Sequence, residues 1–291
     1  LPLQWWLNVN GFYKDKGNTL MSNKPQAKLS LSQLFYLSLG GFGLQIASSL
    51  EMNTTSGIFK FLGASELQIG WLWLIAPITG LLVQPILGQL SDLVNTRYGK
   101  RSPFIFIGLI LASFSLLSLC FTEQLWYASL LILILSCSLN CATEGLRALV
   151  GDITPDKQKP VAFAWQAVWS SVGAMLASLL PWILDRIQIF REAGSSSLKV
   201  PIVIKVSLFI GTFILIQSLW STLKNIKESE LRKQLAEPRV TKIRIRAIEL
   251  FIKMWEELYH NLCHTPPVIK KLFMVQMFTW AGIFVIWLYL G

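Results

Sequence analysis

Residues 125–150 read LWYASLLILILSCSLNCATEGLRALV. A spanning helix needs about 20 predominantly apolar residues, and this run qualifies. It also carries Asn140, Glu144 and Arg147. Charge at membrane depth costs a few kcal/mol and marks a functional site by default. With Gly151 these residues are spaced four, three and four, so they share one helix face. Glu144 and Arg147 can pair at i, i+3, which lowers the cost of placing both in lipid.

The rest of the chain agrees with a life in lipid. Of its 291 residues 53% are hydrophobic and only 14% charged. Soluble domains carry about 25% charged residues. The net charge is +10, but the basic residues sit in short loops between apolar runs. That is how topology is encoded, and nucleic acid is not the partner it implies. Cys120, Cys137, Cys141 and Cys263 show no metal-ligand spacing and read as small packing residues.

Seven segments qualify as spanning helices: 33–58, 67–91, 103–122, 125–150, 160–185, 200–222 and 269–291. With the N-terminus in the cytoplasm, twenty of the 26 Lys and Arg fall in cytoplasmic stretches. The outer loops then hold only Lys60, Arg186, Arg191 and Lys199. This asymmetry follows the positive-inside rule and predicts a multi-pass protein of a cell membrane.

The domain reading follows from the spacing. Residues 1–31 form a cytoplasmic tail without a signal-peptide pattern. Met21 reads as the natural start, with 1–20 upstream of it. Residues 32–222 form a six-helix bundle, 223–268 a cytoplasmic connection and 269–291 a seventh helix. Two bundles joined by a long basic connection are the plan of two-halved transporters. Within the connection, Ile245, Ile248, Ile252, Trp255, Tyr259 and Leu262 recur at helical spacing, so an amphipathic helix along the membrane surface is expected.

A second motif follows the second segment: Gly88, Asp92, then Arg97-Tyr98-Gly99-Lys100-Arg101-Ser102-Pro103-Phe104. Gly88 permits close helix approach, Asp92 marks a helix end, Gly99 allows a tight turn and Pro103 suits a first helical turn. A merely topogenic basic loop explains Arg97, Lys100 and Arg101, but not Gly88, Asp92 and Gly99 at these spacings.

This loop resembles the signature loop of the major facilitator superfamily. Its longer spacing is similar to the glycoside–proton symporter branch that includes the plant sucrose carriers. Phe42-Gly43-Leu44-Gln45, Glu144-Gly145-Leu146-Arg147-Ala148-Leu149-Val150-Gly151-Asp152 and Gln276-Met277-Phe278-Thr279-Trp280 resemble the same branch. Leu93 stands where an Arg usually follows the Asp, and Ser102 replaces an Arg. The resemblance covers about residues 33–291. It implies the N-terminal half of a major facilitator fold, an all-α polytopic membrane bundle, and a C-terminal bundle of which this chain holds only the first helix. It also implies that Asp92, Arg97 and Arg101 organise a cytoplasmic latch against that second bundle.

Two readings of the fourth segment stand. Glu144 and Arg147 form either a packing ion pair or a coupling pair, in which Arg147 meets substrate hydroxyls and gates the protonation of Glu144. A carboxylate beside a cation stays ionised until the cation is drawn away. In the first segment Ser48, Glu51 and Thr55 share a face, with Gln45 adjacent. This is either a polar wall for a hydroxylated ligand or an outer mouth where Glu51 meets water. Gln166 and Ser170 lie on a face with Gly173 and Ala177, where small residues pack helices. Gln276 and Trp280, one turn apart, are candidate substrate contacts. Asn53-Thr54-Thr55 matches a glycosylation sequon at membrane depth.

His260 and His264 lie in the connection, and no nucleophile, phosphate loop or metal cluster accompanies them. The expectation is a transporter rather than an enzyme, without a cofactor, coupling a proton to a sugar or glycoside by alternating access. The alternatives are a truncated, transport-inactive fragment and a transporter-derived sensor that signals through 223–268.

Overall fold

The computed structural model describes residues 28–93, 96, 98–187, 200–226, 256 and 267–290. These fold into eight helices: α1 Leu31–Phe61, α2 Glu66–Leu72, α3 Ile75–Leu93, α4 Ser102–Leu119, α5 Leu125–Ile153, α6 Lys159–Arg186, α7 Ile202–Asn225 and α8 Pro267–Leu290. No sheet forms among the described residues; Thr96 and Gly99 make an isolated bridge. The amphipathic helix expected around Ile245–Leu262 falls outside the described residues.

Local signals set the helix ends. Ser30 caps α1 and Ser65 caps α2. Each hydroxyl accepts from the amide three residues on, and each Gln there (Gln33, Gln68) reaches back to the cap backbone. This capping box satisfies two orphan donors at each end. Pro103 lies in the first turn of α4 and Pro160 in that of α6, where no amide is needed.

The second segment departs from its expected form. One helix over 67–91 is instead two, separated at Trp73 and Leu74. Pro77 has no amide to give the carbonyl four residues back, at Trp73, and its ring crowds that carbonyl. The break places Trp73 inward, 4% exposed, with its indole Nε1 donating to Ser56 Oγ at 2.7 Å.

Helix α1 is the hub. It packs against α6, α7 and α5, while α4 packs against α5 and α7, and α3 against α5. Enclosure explains its composition. Among the described residues five stretches are long and apolar enough to cross a membrane: Glu66–Gln84, Ser102–Leu119, Leu125–Ile153, Lys159–Arg186 and Ile202–Asn225. Helix α1, rich in Gly, Ser and Thr, instead buries Leu37, Leu44, Ala47, Leu50 and Ile58 among its neighbours. Its buried hydroxyls turn back on their own helix: Ser38 donates to Leu34 O at 2.8 Å and Thr54 to Leu50 O at 2.7 Å. That satisfies a polar group where no water reaches.

Close approach supplies the packing. A Cβ on Gly43 would collide with Ser218 of α7. One on Gly173 of α6 would lie 2.6 Å from Phe42 O, and one on Gly108 of α4 would lie 2.7 Å from Ser138 O. Small residues at such crossings let backbones meet, which drives helix association in lipid. Large apolar side chains such as Phe114, Trp182, Phe213 and Trp220 point outward, each more than half exposed. That suits contact with acyl chains. The architecture is an all-α polytopic bundle, as the sequence led one to expect.

Candidate functional site

Helices α1, α3, α5 and α6, with Trp280 of α8, line a half-open cavity of about 650 Å³. Ligand pockets typically hold about 300–1,000 Å³. Its polar wall comes from Gln45, Ser48 and Glu51 on α1, Gln84 on α3, Ser136, Asn140, Thr143 and Arg147 on α5, and Gln166 and Ser170 on α6. Trp280 of α8 adds an aromatic face. Leu44, Leu139 and Phe163 supply apolar surface between them.

Helical periodicity assembles this wall. On α1, Gln45, Ser48 and Glu51 follow at intervals of three, and on α5, Ser136, Asn140, Thr143 and Arg147 follow at four, three and four. The two stripes face each other. Gln84 Nε2 donates to Asn140 Oδ1 at 2.8 Å, and Asn140 Nδ2 donates to Ser136 O at 2.9 Å. Gln45 Nε2 donates to Ser49 Oγ at 3.2 Å. Ser136 Oγ donates to Glu51 Oε1, tying α5 to α1.

Glu51 lines this wall and meets α5 through Ser136. It is 8% exposed, and no cation pairs with it among the described residues. Arg147 and Glu144 do form the i, i+3 pair, with Nη1 to Oε1 at 2.7 Å. Arg147 lines the cavity, whereas Glu144 stands beside it and holds the guanidinium. Ser136 and Arg147 are eleven residues apart, about 16 Å of helix at 1.5 Å per residue. The cavity thus has a carboxyl end and a guanidinium end.

Of the other candidates, Gln166 and Trp280 reach the cavity, but Gln276 does not; it lies on an exposed part of α8. Trp169 packs edge-on against Phe35 and Phe42, with ring centroids 5.4 and 5.7 Å away. Gly173 and the buried Ala177 serve the α1–α6 contact. Asn53 sits within α1 and donates to Ser178 Oγ at 3.3 Å, so the sequon is helix rather than an acceptor loop.

In the basic loop, Gly88 and Asp92 fall in the last turns of α3. Their side chains, and Arg97 entirely, lie outside the described residues. Gly99 adopts φ +124°, a backbone region natural to glycine. Its carbonyl accepts from Thr96 N at 3.2 Å and Thr96 Oγ1 at 2.7 Å, closing a tight turn. Lys100 follows, half-buried. Arg101 is buried and reaches Asp152 Oδ2 of α5 at 2.9 Å, and its Nη1 donates to Ser91 of α3. The loop is thereby fastened to two helices of its own bundle.

Gln84, Ser136 and Thr143 were absent from the sequence candidates. Ser136 and Thr143 lie on the stripe of Asn140 and Arg147, so extending that stripe one turn back and filling its gap finds both. Gln84, a lone amide in an apolar run, is the corresponding signal in α3.

A family model described as Major Facilitator Superfamily matches residues 35–291. A general alpha-glucoside permease from Schizosaccharomyces pombe is 25% identical over 293 residues, covering 94% of this chain and 50% of the permease. A sucrose transport protein from Arabidopsis thaliana is 28% identical over 156 residues, covering 46% of this chain and 26% of that protein. Another, from Oryza sativa subsp. indica, is 22% identical over 285 residues, covering 87% and 50%. The chain spans half the length, or less, of these relatives.

Proposed function

The chain belongs to the major facilitator superfamily, and from that premise we propose that it forms the substrate wall of a proton-coupled sugar symporter. Membership of a superfamily of transporters sets it apart from enzymes. The observation that carries the proposal is the cavity wall: amides, hydroxyls, one carboxyl and one guanidinium converge on about 650 Å³, with an indole face among them. A sugar presents hydroxyls in all directions and an apolar ring face. Carboxamides donate and accept at once, so Gln45, Gln84, Asn140 and Gln166 can each satisfy a hydroxyl in either role. Arg147 donates only, and with Glu144 fixing its fork it suits a pair of sugar oxygens.

The named relatives, an alpha-glucoside permease and sucrose transport proteins, favour a glycoside of the sucrose or maltose kind and the glycoside–proton branch. Transport proceeds by alternating access, with two bundles rocking about the cavity. Trp280 is the contribution of the helix that begins the second bundle. The basic-residue asymmetry places the N-terminus and the Gly88–Arg101 loop on the cytoplasmic side of a cell membrane. There the loop, fastened through Arg101 and Asp152, serves as the latch.

The experiment is uptake of radiolabelled sucrose, maltose and glucose by vesicles that hold the full-length protein expressed from its gene, with and without an inward proton gradient. Concentrative uptake of one of them, lost in Arg147→Gln, supports the proposal. Absence of flux for every sugar refutes it.

A further inference from the structure

Two carboxamides on the cavity wall have their orientation decided by their partners. Asn140 Nδ2 donates to Ser136 O at 2.9 Å. A backbone carbonyl only accepts, so the nitrogen of Asn140 must face it and the oxygen must face away. That oxygen meets α3: Gln84 Nε2 donates to Asn140 Oδ1 at 2.8 Å. Two oxygens set against each other would repel, so Gln84 is fixed in its turn. Orientation passes in this way from the α5 backbone to the end of a side chain on α3. Gln84 Oε1 is left over. Gln84 has no further bond among the described residues, and its side chain stands exposed on the cavity wall.

We infer that Gln84 is a specificity-determining residue: its Oε1 accepts from one sugar hydroxyl and cannot turn to donate to it, because Asn140 holds its nitrogen. Asn140 is the positioning residue. This rests on the proposed sugar transport and assigns one contact within it.

The apolar setting favours the assignment. A lone amide in the apolar run of α3 is costly unless it is paired, and the bond to Asn140 both pairs it and draws it to the cavity side. Turning the carboxamide about its last bond would break that bond and bring Oε1 against Oδ1. A ligand that offers only an acceptor at this spot does not repay such a loss. Gln45 differs. Its Nε2 donates to the Ser49 hydroxyl at 3.2 Å, and a hydroxyl donates or accepts, so Gln45 is free to turn. Arg147 is the opposite case, since a guanidinium only donates. Asn140 and Arg147 are seven residues apart on α5, about 10 Å at 1.5 Å per residue. The Gln84 oxygen and the guanidinium therefore read different hydroxyls. A fluorine in place of a hydroxyl accepts weakly and cannot donate. It is tolerated opposite Arg147 and fails opposite Gln84.

The test is competition against labelled parent sugar for uptake by vesicles holding the full-length protein expressed from its gene. The competitors are deoxy and deoxyfluoro derivatives of maltose and sucrose, with one hydroxyl changed at a time. In the wild type one position is expected at which both derivatives bind about three- to tenfold more weakly than the parent. Gln84→Met keeps the length of the side chain and loses the oxygen; at that position parent and derivatives should then compete alike. Asn140→Leu unties Gln84 and lets it turn. There the deoxyfluoro sugar should recover and the deoxy sugar should not, whereas a merely structural change would weaken all three together. A wild type without such a position overturns the inference. So does a Gln84→Met profile identical to the wild type, or an Asn140→Leu protein in which both derivatives still fail equally. If Gln84→Met does not insert, Asn140→Leu decides. A wild-type protein that takes up no labelled sugar fails the transport reading itself, a result distinct from all of these.

Discussion

Substituting Gly108 by alanine tests the helix packing on which the cavity depends. The new Cβ would lie 2.7 Å from Ser138 O, 2.8 Å from Ala142 Cβ and 3.0 Å from Ala142 N. Two of these atoms are backbone and cannot rotate away. Restoring an ordinary contact near 3.4 Å moves α4 from α5 by roughly 0.7 Å. Overpacking of this kind costs about 1–3 kcal/mol. Alanine returns about 1 kcal/mol of helix propensity. The net expectation is a loss of about 0–2 kcal/mol. Gly151→Ala, on α5 with nothing within 4 Å of its Cβ, isolates the propensity gain and should stabilise by up to about 1 kcal/mol. The two variants then differ by about 2 kcal/mol, which at 2–4 °C per kcal/mol is about 4–8 °C in Tm. Thermal unfolding in detergent, followed by loss of the monodisperse size-exclusion peak, measures it. A Gly108→Ala protein that melts at or above Gly151→Ala would refute the claim that glycine seams set the helix spacing.

Asp152→Asn and Arg101→Met, separately and together, should show a coupling of about 1–3 kcal/mol in a double-mutant cycle of Tm, since Arg101 is buried against its partner; additive shifts would leave the pair without energetic meaning. Arg147→Gln should raise the sugar KM about tenfold or more, by loss of one charge-assisted contact, while Gln276→Ala, off the cavity wall, leaves KM unchanged. Equal effects at the two positions would contradict the cavity assignment. Ser30→Ala removes the α1 capping box and should cost about 1 kcal/mol, readable as faster amide exchange in the first turn of α1. Unchanged exchange there would argue against the cap.

Much of the fold was legible because lipid imposes length and polarity on every span. The run 125–150 became Leu125–Ile153, and 160–185 became Lys159–Arg186. The break at Trp73 was less visible. Pro77 was in plain sight, but mean hydropathy over 67–91 masks a single missing hydrogen bond. Within the site, the Glu144–Arg147 pair followed from i, i+3 spacing alone, and it formed. Spacing within a helix could not tell which faces meet. The burial of Glu51 comes from neighbouring helices, and its bond from Ser136 and the Gln84–Asn140 bridge each join two helices far apart in sequence. For the same reason spacing could not separate Gln276 from Trp280: both are exposed on α8, and of the two Trp280 borders the cavity.

The most direct measurement is simultaneous recording of sugar uptake and proton uptake by vesicles holding the full-length protein. Sugar entry accompanied by proportionate external alkalinisation, and loss of both on Arg147→Gln, is the expected result. Sugar movement without proton movement, or proton-linked uptake that persists unchanged after Arg147→Gln, would contradict a coupled site in this cavity.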